Sequence, residues 1–262
     1  MKQHTYRGTT VSAALVALIL AAATPAAWAQ DRDKNDSGWE GASETPQPTL
    51  PLKDARLKIE LNSTDQDAGV QVFIDSDPWK TMDIFGPDGK RIFRATNRGS
   101  LATQGGTELF LETGEPKLSD VPLEEFLKRF PSGNYYMVGK GLNGEKYVGT
   151  AKFTHNIPEG PVLVSPIDDA LVAPDSTVVQ WEPVAAPNGS PIVGYQVLVV
   201  KPNTGIPALP KIILDVMMPP TAISMAVPPG FLLPDSTYEW EVLAIEAGGN
   251  QTLSTSFFET AP

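Results

Sequence analysis

The chain has 262 residues, with 31 acidic against 20 basic side chains for a formal charge of −11, 22 glycines, 25 prolines, two histidines and no cysteine. That length leaves room for about two ordinary domains. The glycine and proline content excludes a helical bundle, and a 41% hydrophobic share excludes a chain that is disordered throughout. Nucleic acid is excluded as a partner because binding a polyanion draws on clustered Lys and Arg, and without cysteine there is no thiol chemistry.

Residues 1–29 carry Lys2 and Arg7 and no acid, then an uncharged run from Val11 to Ala23, then Ala27-Trp28-Ala29 before Gln30. This order predicts a signal peptide cut after Ala29. The apolar run is too short for the roughly 20 residues of a membrane-crossing helix, so an uncut anchor is the weaker alternative. Cleavage takes the formal charge from −11 to −13 and leaves no membrane span, with a periplasmic or extracellular (secreted) location expected. An exported chain without cysteine must draw its stability from packing and hydrogen bonds, which fits a bacterial exported protein. Asn-x-Ser/Thr triplets begin at Asn35, Asn62, Asn188 and Asn250, and they are read as chance in a turn-rich chain.

Composition divides the rest into three. Residues 30–52 combine charges with Pro46, Pro48 and Pro51 and little to bury, which predicts a disordered tether. Residues 53–160 are nearly balanced in charge, whereas 161–262 hold only Lys201 and Lys211 against ten acids, with 15 of the 25 prolines. A change this sharp near Ile157–Pro161 marks a boundary between two domains.

In the middle domain, residues 53–160, Arg56–Leu61 alternates, as do Val70, Val72 and Ile74. Trp79–Phe85 and Lys90–Ala95 flank Gly86-Pro87-Asp88-Gly89, and Tyr135–Phe153 turns at Asn143-Gly144; both read as hairpins. Between them Leu123, Phe126, Leu127 and Phe130 share one helical face, with Asp120 as candidate cap and Pro131 as stop. A β-sandwich of unknown family with one short helix is expected, and its place before the next domain looks like uncharacterised exported bacterial proteins.

In residues 161–262, short alternating stretches near Val162, Val178, Ile192, Lys211, Thr221, Tyr238 and Gln251 give seven strands. Trp181 sits late in the second, Gly194-Tyr195-Gln196-Val197 opens the third, and Leu232, Pro234 and Tyr238 form a Leu-x-Pro-x-x-x-Tyr corner. These three motifs, in order, resemble a fibronectin type III domain. The resemblance implies a Greek-key sandwich with Trp181, Tyr195, Leu232, Pro234 and Tyr238 as its structural core, and Tyr238 bonding its hydroxyl back to the backbone. It also implies a binding or spacer module without naming a ligand. The prolines at 202, 207, 210, 219 and 220 depart from the pattern and put the fourth-strand edge in doubt.

For chemistry, His155 is the only histidine beyond the leader, so no site can use two imidazoles. Phosphate-loop and dinucleotide patterns are missing from the sequence. Asp65, Asp67, Asp75 and Asp77 form the densest acidic cluster and are the candidate metal ligands, for calcium, with solvated turn acids as the competing reading. Trp79, Tyr135 and Tyr136 are the candidate sugar-stacking residues, with core packing as their alternative.

The expectation is an all-β protein of two β-sandwich domains, exported and noncatalytic, with no cofactor or calcium alone. It would act as a binding or scaffold module toward a protein, a cell-envelope component or a carbohydrate. The alternatives are a carbohydrate- or calcium-binding accessory protein and a carboxylate-dependent hydrolase.

Overall fold

The computed structural model describes residues 47–262. The expected signal peptide, and the expected tether as far as residue 46, lie outside the described residues, as does Asn35. No helix among the described residues is long and apolar enough to cross a membrane.

The first sandwich is built from β1 (Thr49–Pro51), β2 (Asp54–Asn62), β3 (Asp67–Phe85), β4 (Arg91–Thr96), β5 (Gly106–Glu112), β6 (Gly133–Gly141) and β7 (Lys146–Phe153), with short helices α1 (Ser100–Gln104) and α2 (Leu123–Arg129). Both expected hairpins are present, β3–β4 and β6–β7. Their turns use Gly89 and Gly144 at φ 78° and 97°, which glycine adopts without Cβ strain.

The two predicted strands around Val70 and Trp79 are one 19-residue strand that runs through Pro78. Its first half pairs with β2 and β5 and its second half with β4 and β6, and the register shifts between Asp75 and Trp79. β3 therefore belongs to both layers. Leu57, Ile59, Val70, Val72 and Ile74 from one layer meet Met82, Ile84, Tyr135 and Met137 from the other. α2 adds Phe126, which is buried, with Leu123, Leu127 and Phe130 packed beside the same core. Asp120 does not cap this helix. Pro122 occupies that position, and its carbonyl accepts from Glu125 and Phe126 instead.

The end of the expected tether needs correction. Thr49–Pro51 runs parallel to β7, with Leu52 donating its N–H to the Val148 carbonyl and Leu50 and Leu52 packed on the core. The two leucines, spaced by two, supply the apolar face that the surrounding prolines and charges conceal. Pro51 is tolerated because β1 is an edge strand.

The second sandwich contains β8 (Leu163–Ser165), β9 (Ala170–Val172), β10 (Val178–Trp181), β11 (Ile192–Val200), β12 (Ile212–Met218), β13 (Ser224–Ala226), β14 (Thr237–Glu246) and β15 (Gln251–Thr260). One sheet is ordered β13-β10-β8; the other runs β12-β11-β14-β15, with β9 alongside β15. Three strands facing four in this order, with the edge switching sheets at β9, is a fibronectin type III-like sandwich. Trp181, Tyr195, Leu232, Tyr238 and Trp240 are all buried between the layers. The Tyr238 hydroxyl accepts the Leu233 N–H at 2.8 Å, and the Tyr195 hydroxyl accepts that of Val184 at 2.8 Å. Pro234 is not a core residue: it is exposed on the corner, where it shapes the backbone without burying area. In the proline-rich stretch β12 still forms, because the prolines fall before Ile212 and after Met218.

Each sandwich has its own hydrophobic core. They are joined because Gln251–Leu253 at the start of β15 runs parallel to Glu60–Asn62 of β2, so the strand path is continuous from β1 to β12. Asn250 closes the junction. Its side-chain oxygen accepts the Ile59 N–H at 2.9 Å, and its Nδ2 donates to the Thr154 carbonyl, the Thr154 hydroxyl and the Asn156 carbonyl. At 1% exposure it is closed to any glycan. Thr252 Oγ1 donates to the Pro158 carbonyl, and Ser63 donates its N–H and hydroxyl to the Leu253 carbonyl.

Asn250→Ala leaves the Ile59 N–H and two linker carbonyl groups without their buried partner. It should lower the unfolding free energy by about 2–4 kcal/mol. Urea denaturation followed by tryptophan fluorescence measures this, and a midpoint equal to the parent's would contradict the role.

Candidate functional site

The joined sheet has one face turned away from both cores. On β2, Leu57 and Ile59 point inward, so Lys58 and Glu60 point outward. The register then sets Gln71 and Gly69 of β3 beside them, Glu112 of β5 beside Gln71, and Gln251 of β15 beside Glu60. Lys58 Nζ donates to Gln251 Oε1 at 2.8 Å, Gln251 Nε2 donates to Glu60, and Gln71 Nε2 donates to Glu112 Oε1 at 2.8 Å.

Glu115 enters this face from the loop after β5. Its side chain lies across Gly69, where a Cβ would come within 2.9 Å of the Glu115 Cγ. Carboxylate oxygens of Glu60, Glu112 and Glu115 all lie within 4.8 Å of one another. Burial pushes Glu112 above the ordinary carboxylate value, with the charge of Glu60 adding to it, and burial pulls Lys58 below the ordinary lysine value.

Across the junction the same face continues with Leu253, Leu243 and Leu198, an apolar cluster outside the main core. Glu239 and Glu241 alternate with the inward Tyr238, Trp240 and Val242. Burial raises the pKa of both, and Glu241, which also meets the charges of Glu239, Glu60 and Asp65, is pushed up to about 8.

The predicted metal ligands are not brought together. Asp65 and Asp67 lie at the β2–β3 turn, with Lys117 Nζ 3.0 Å from Asp67 and 3.9 Å from Asp65. Asp77 pairs with Lys53 at 2.8 Å, and Asp75 sits in register with Asp54. Asp67 and Asp77 are separated along β3 by on the order of 30 Å of extended chain. Sequence proximity misleads here because an extended strand separates residues quickly.

The predicted stacking residues do not form a platform either. Trp79 and Tyr135 are core residues, 4% and 2% exposed, and only Tyr136 reaches the surface. The Tyr135 hydroxyl donates to the Pro131 carbonyl, and burial raises its pKa to about 12.

His155 packs edge-on against Phe153, and its Nε2 donates to the Phe130 carbonyl at 2.8 Å. A cleft of about 400 Å³ lies beside the junction, lined in part by Lys152, Thr154, Ser190 and Glu246. The Glu246 carboxylate there accepts from Ser190 Oγ and from the N–H groups of Gly248 and Asn250. Those bonds fix the β14–β15 turn, so this acid serves the fold.

Sequence reasoning misses the Glu60, Glu112, Glu115 and Gln71 grouping because it assigns no strand at β5. The signal was present in the alternation of Leu109 and Leu111 with Glu108, Phe110 and Glu112.

No protein-family model matches the chain, and no curated protein matches it. Among solved structures it is similar to a crystal structure of an engineered protein at 21% identity and a TM-score of 0.29, over 42% of this chain and 21% of that one. This chain therefore spans about a fifth of that protein's length. It is also similar to the FN1–FN3 domains of chicken CNTN1 at 14% identity and a TM-score of 0.34, over 82% of this chain and 69% of that one. Superpositions this loose carry no information about activity or partners.

The carboxyl of Glu241 has a folded-state pKa above its unfolded value near 4.5. The protonated group favours the folded state, so its contribution is complete below about pH 4.5 and is lost as pH rises through about 8. Glu241→Gln, which cannot ionise, should therefore melt several degrees above the parent at pH 8 and within about a degree of it at pH 4.5. Thermal melts at the two pH values measure this, and equal midpoints at pH 8 would contradict it.

Proposed function

We propose that this chain is a noncatalytic binding or scaffold protein that acts through its β-sandwich surfaces, exported from a bacterial cytoplasm to the periplasm or the outside of the cell. One observation carries the reading: the one histidine beyond the leader, the acid in the cleft beside the junction and two of the three aromatic candidates are committed to the fold. His155 is bonded to a backbone carbonyl, Glu246 to a turn, and Trp79 and Tyr135 to the core. Export is supported by the basic and then apolar leader ending at Ala27-Trp28-Ala29, and by a cysteine-free sequence.

The surface offered to a partner is the outer face of the β13-β10-β8 sheet. Val164 and Val178 are 47% and 41% exposed there, and Ala226 is exposed beside Val178. Lysine and arginine are scarce around it, with only Lys201 and Lys211 in residues 161–262. An uncharged, partly apolar sheet face suits a protein partner from the cell envelope. A carbohydrate partner has less support, because two of the three stacking candidates are buried.

The test is chemical cross-linking of the protein in an envelope fraction, comparing the parent with Val178→Asp. A partner retained by the parent and lost from the variant, with no turnover of chromogenic ester, glycoside or peptide substrates, is expected. Turnover abolished by replacing a single carboxylate would overturn the reading.

A further inference from the structure

The three glutamates on the outward face of the first sandwich are accompanied by an unpaired oxygen. Gln71 is 2% exposed, and its Oε1 is buried with no hydrogen-bond partner. Its orientation is fixed, because Nε2 donates to the Glu112 carboxylate; turning the amide over would set oxygen against oxygen. The oxygen of the same amide is thus held at the edge of the carboxylate group without a donor. Leaving an acceptor dry and unpaired is costly, and a cation is one way to satisfy it.

We propose that Glu60, Glu112, Glu115 and the Gln71 amide oxygen form a calcium site. The donor set is all oxygen, which selects hard cations over zinc or copper. Carboxylate oxygens no more than 4.8 Å apart can all reach one Ca²⁺, whose ligands lie up to about 5 Å from one another at its usual bond lengths. Mg²⁺ demands near-ideal octahedral geometry and keeps several of its waters, so a site built from four side chains suits the larger, more tolerant ion.

Glu112 and Glu115 are only half-buried, which leaves an open side for water to complete six to eight ligands. Gly69 is the glycine that this arrangement needs, since any side chain there would displace Glu115. The proposal is independent of which partner the other sandwich binds.

Calorimetric titration of the purified protein with CaCl₂ should give one site with Kd of about 10⁻⁵–10⁻³ M. Millimolar calcium should raise Tm by roughly 4 °C over chelator. Glu112→Gln and Glu115→Gln should each weaken binding at least tenfold while leaving the far-UV spectrum and the melt in chelator near the parent's. Asp77→Asn, which changes an acid paired with Lys53 about 20 Å along β3 from Gln71, should leave binding unchanged, and Mg²⁺ should bind at least tenfold more weakly than Ca²⁺. No heat and no shift in Tm at 5 mM calcium, binding that survives in the Glu112→Gln/Glu115→Gln double variant, or equal affinity for Mg²⁺ would overturn the proposal.

Discussion

The pairing of β15 with β2 is the constraint on which the rest of the architecture depends. A short link between two sandwiches ordinarily leaves them free to turn against each other. Here three residues of β15 extend the sheet of the first sandwich into the second, and Asn250 ties the linker to both. The pairing also covers part of two sheet edges, at Glu60–Asn62 and Gln251–Leu253, which would otherwise be templates for another chain.

Joining the sheets has a chemical consequence as well as a mechanical one. Side chains that would sit at the rims of two separate sandwiches share one outward face, where burial, helped by the charge of Glu60 on β2, raises the pKa of Glu112 on β5 and of Glu241 on β14. Glu60 takes a hydrogen bond from Gln251 in the other sandwich, so the acidic grouping and the junction are physically coupled. Such a face stores electrostatic repulsion that protonation, Lys58 or a bound cation can relieve.

Much of the second sandwich was legible in the sequence, because its signals are local. Trp181, Tyr195 and Tyr238 fall at spacings that a buried strand or corner imposes, and each is buried where its motif puts it. Pro234 belongs to the same motif but shapes the corner from outside. In the first sandwich the hairpins at Gly89 and Gly144 and the apolar face of α2 were equally local. What failed to show was non-local. That β3 would run unbroken through Pro78, that Leu50 would dock on β7, and that β15 would add to β2 depend on partners far away in sequence. The candidate site followed the same rule: adjacent aspartates diverged along a strand, while Glu60 and Glu112 converged across three.

Native-state hydrogen exchange at the Ile59 and Ser63 amides tests the central claim most directly, since these N–H groups donate across the junction to Asn250 Oδ1 and the Leu253 carbonyl. If the two sandwiches share one sheet, both amides should exchange only through large-scale unfolding, as slowly as the core amides of β3 and β14. Rapid exchange at Ile59 and Ser63 while those core amides stay protected would mean that the sandwiches are separate bodies on a linker.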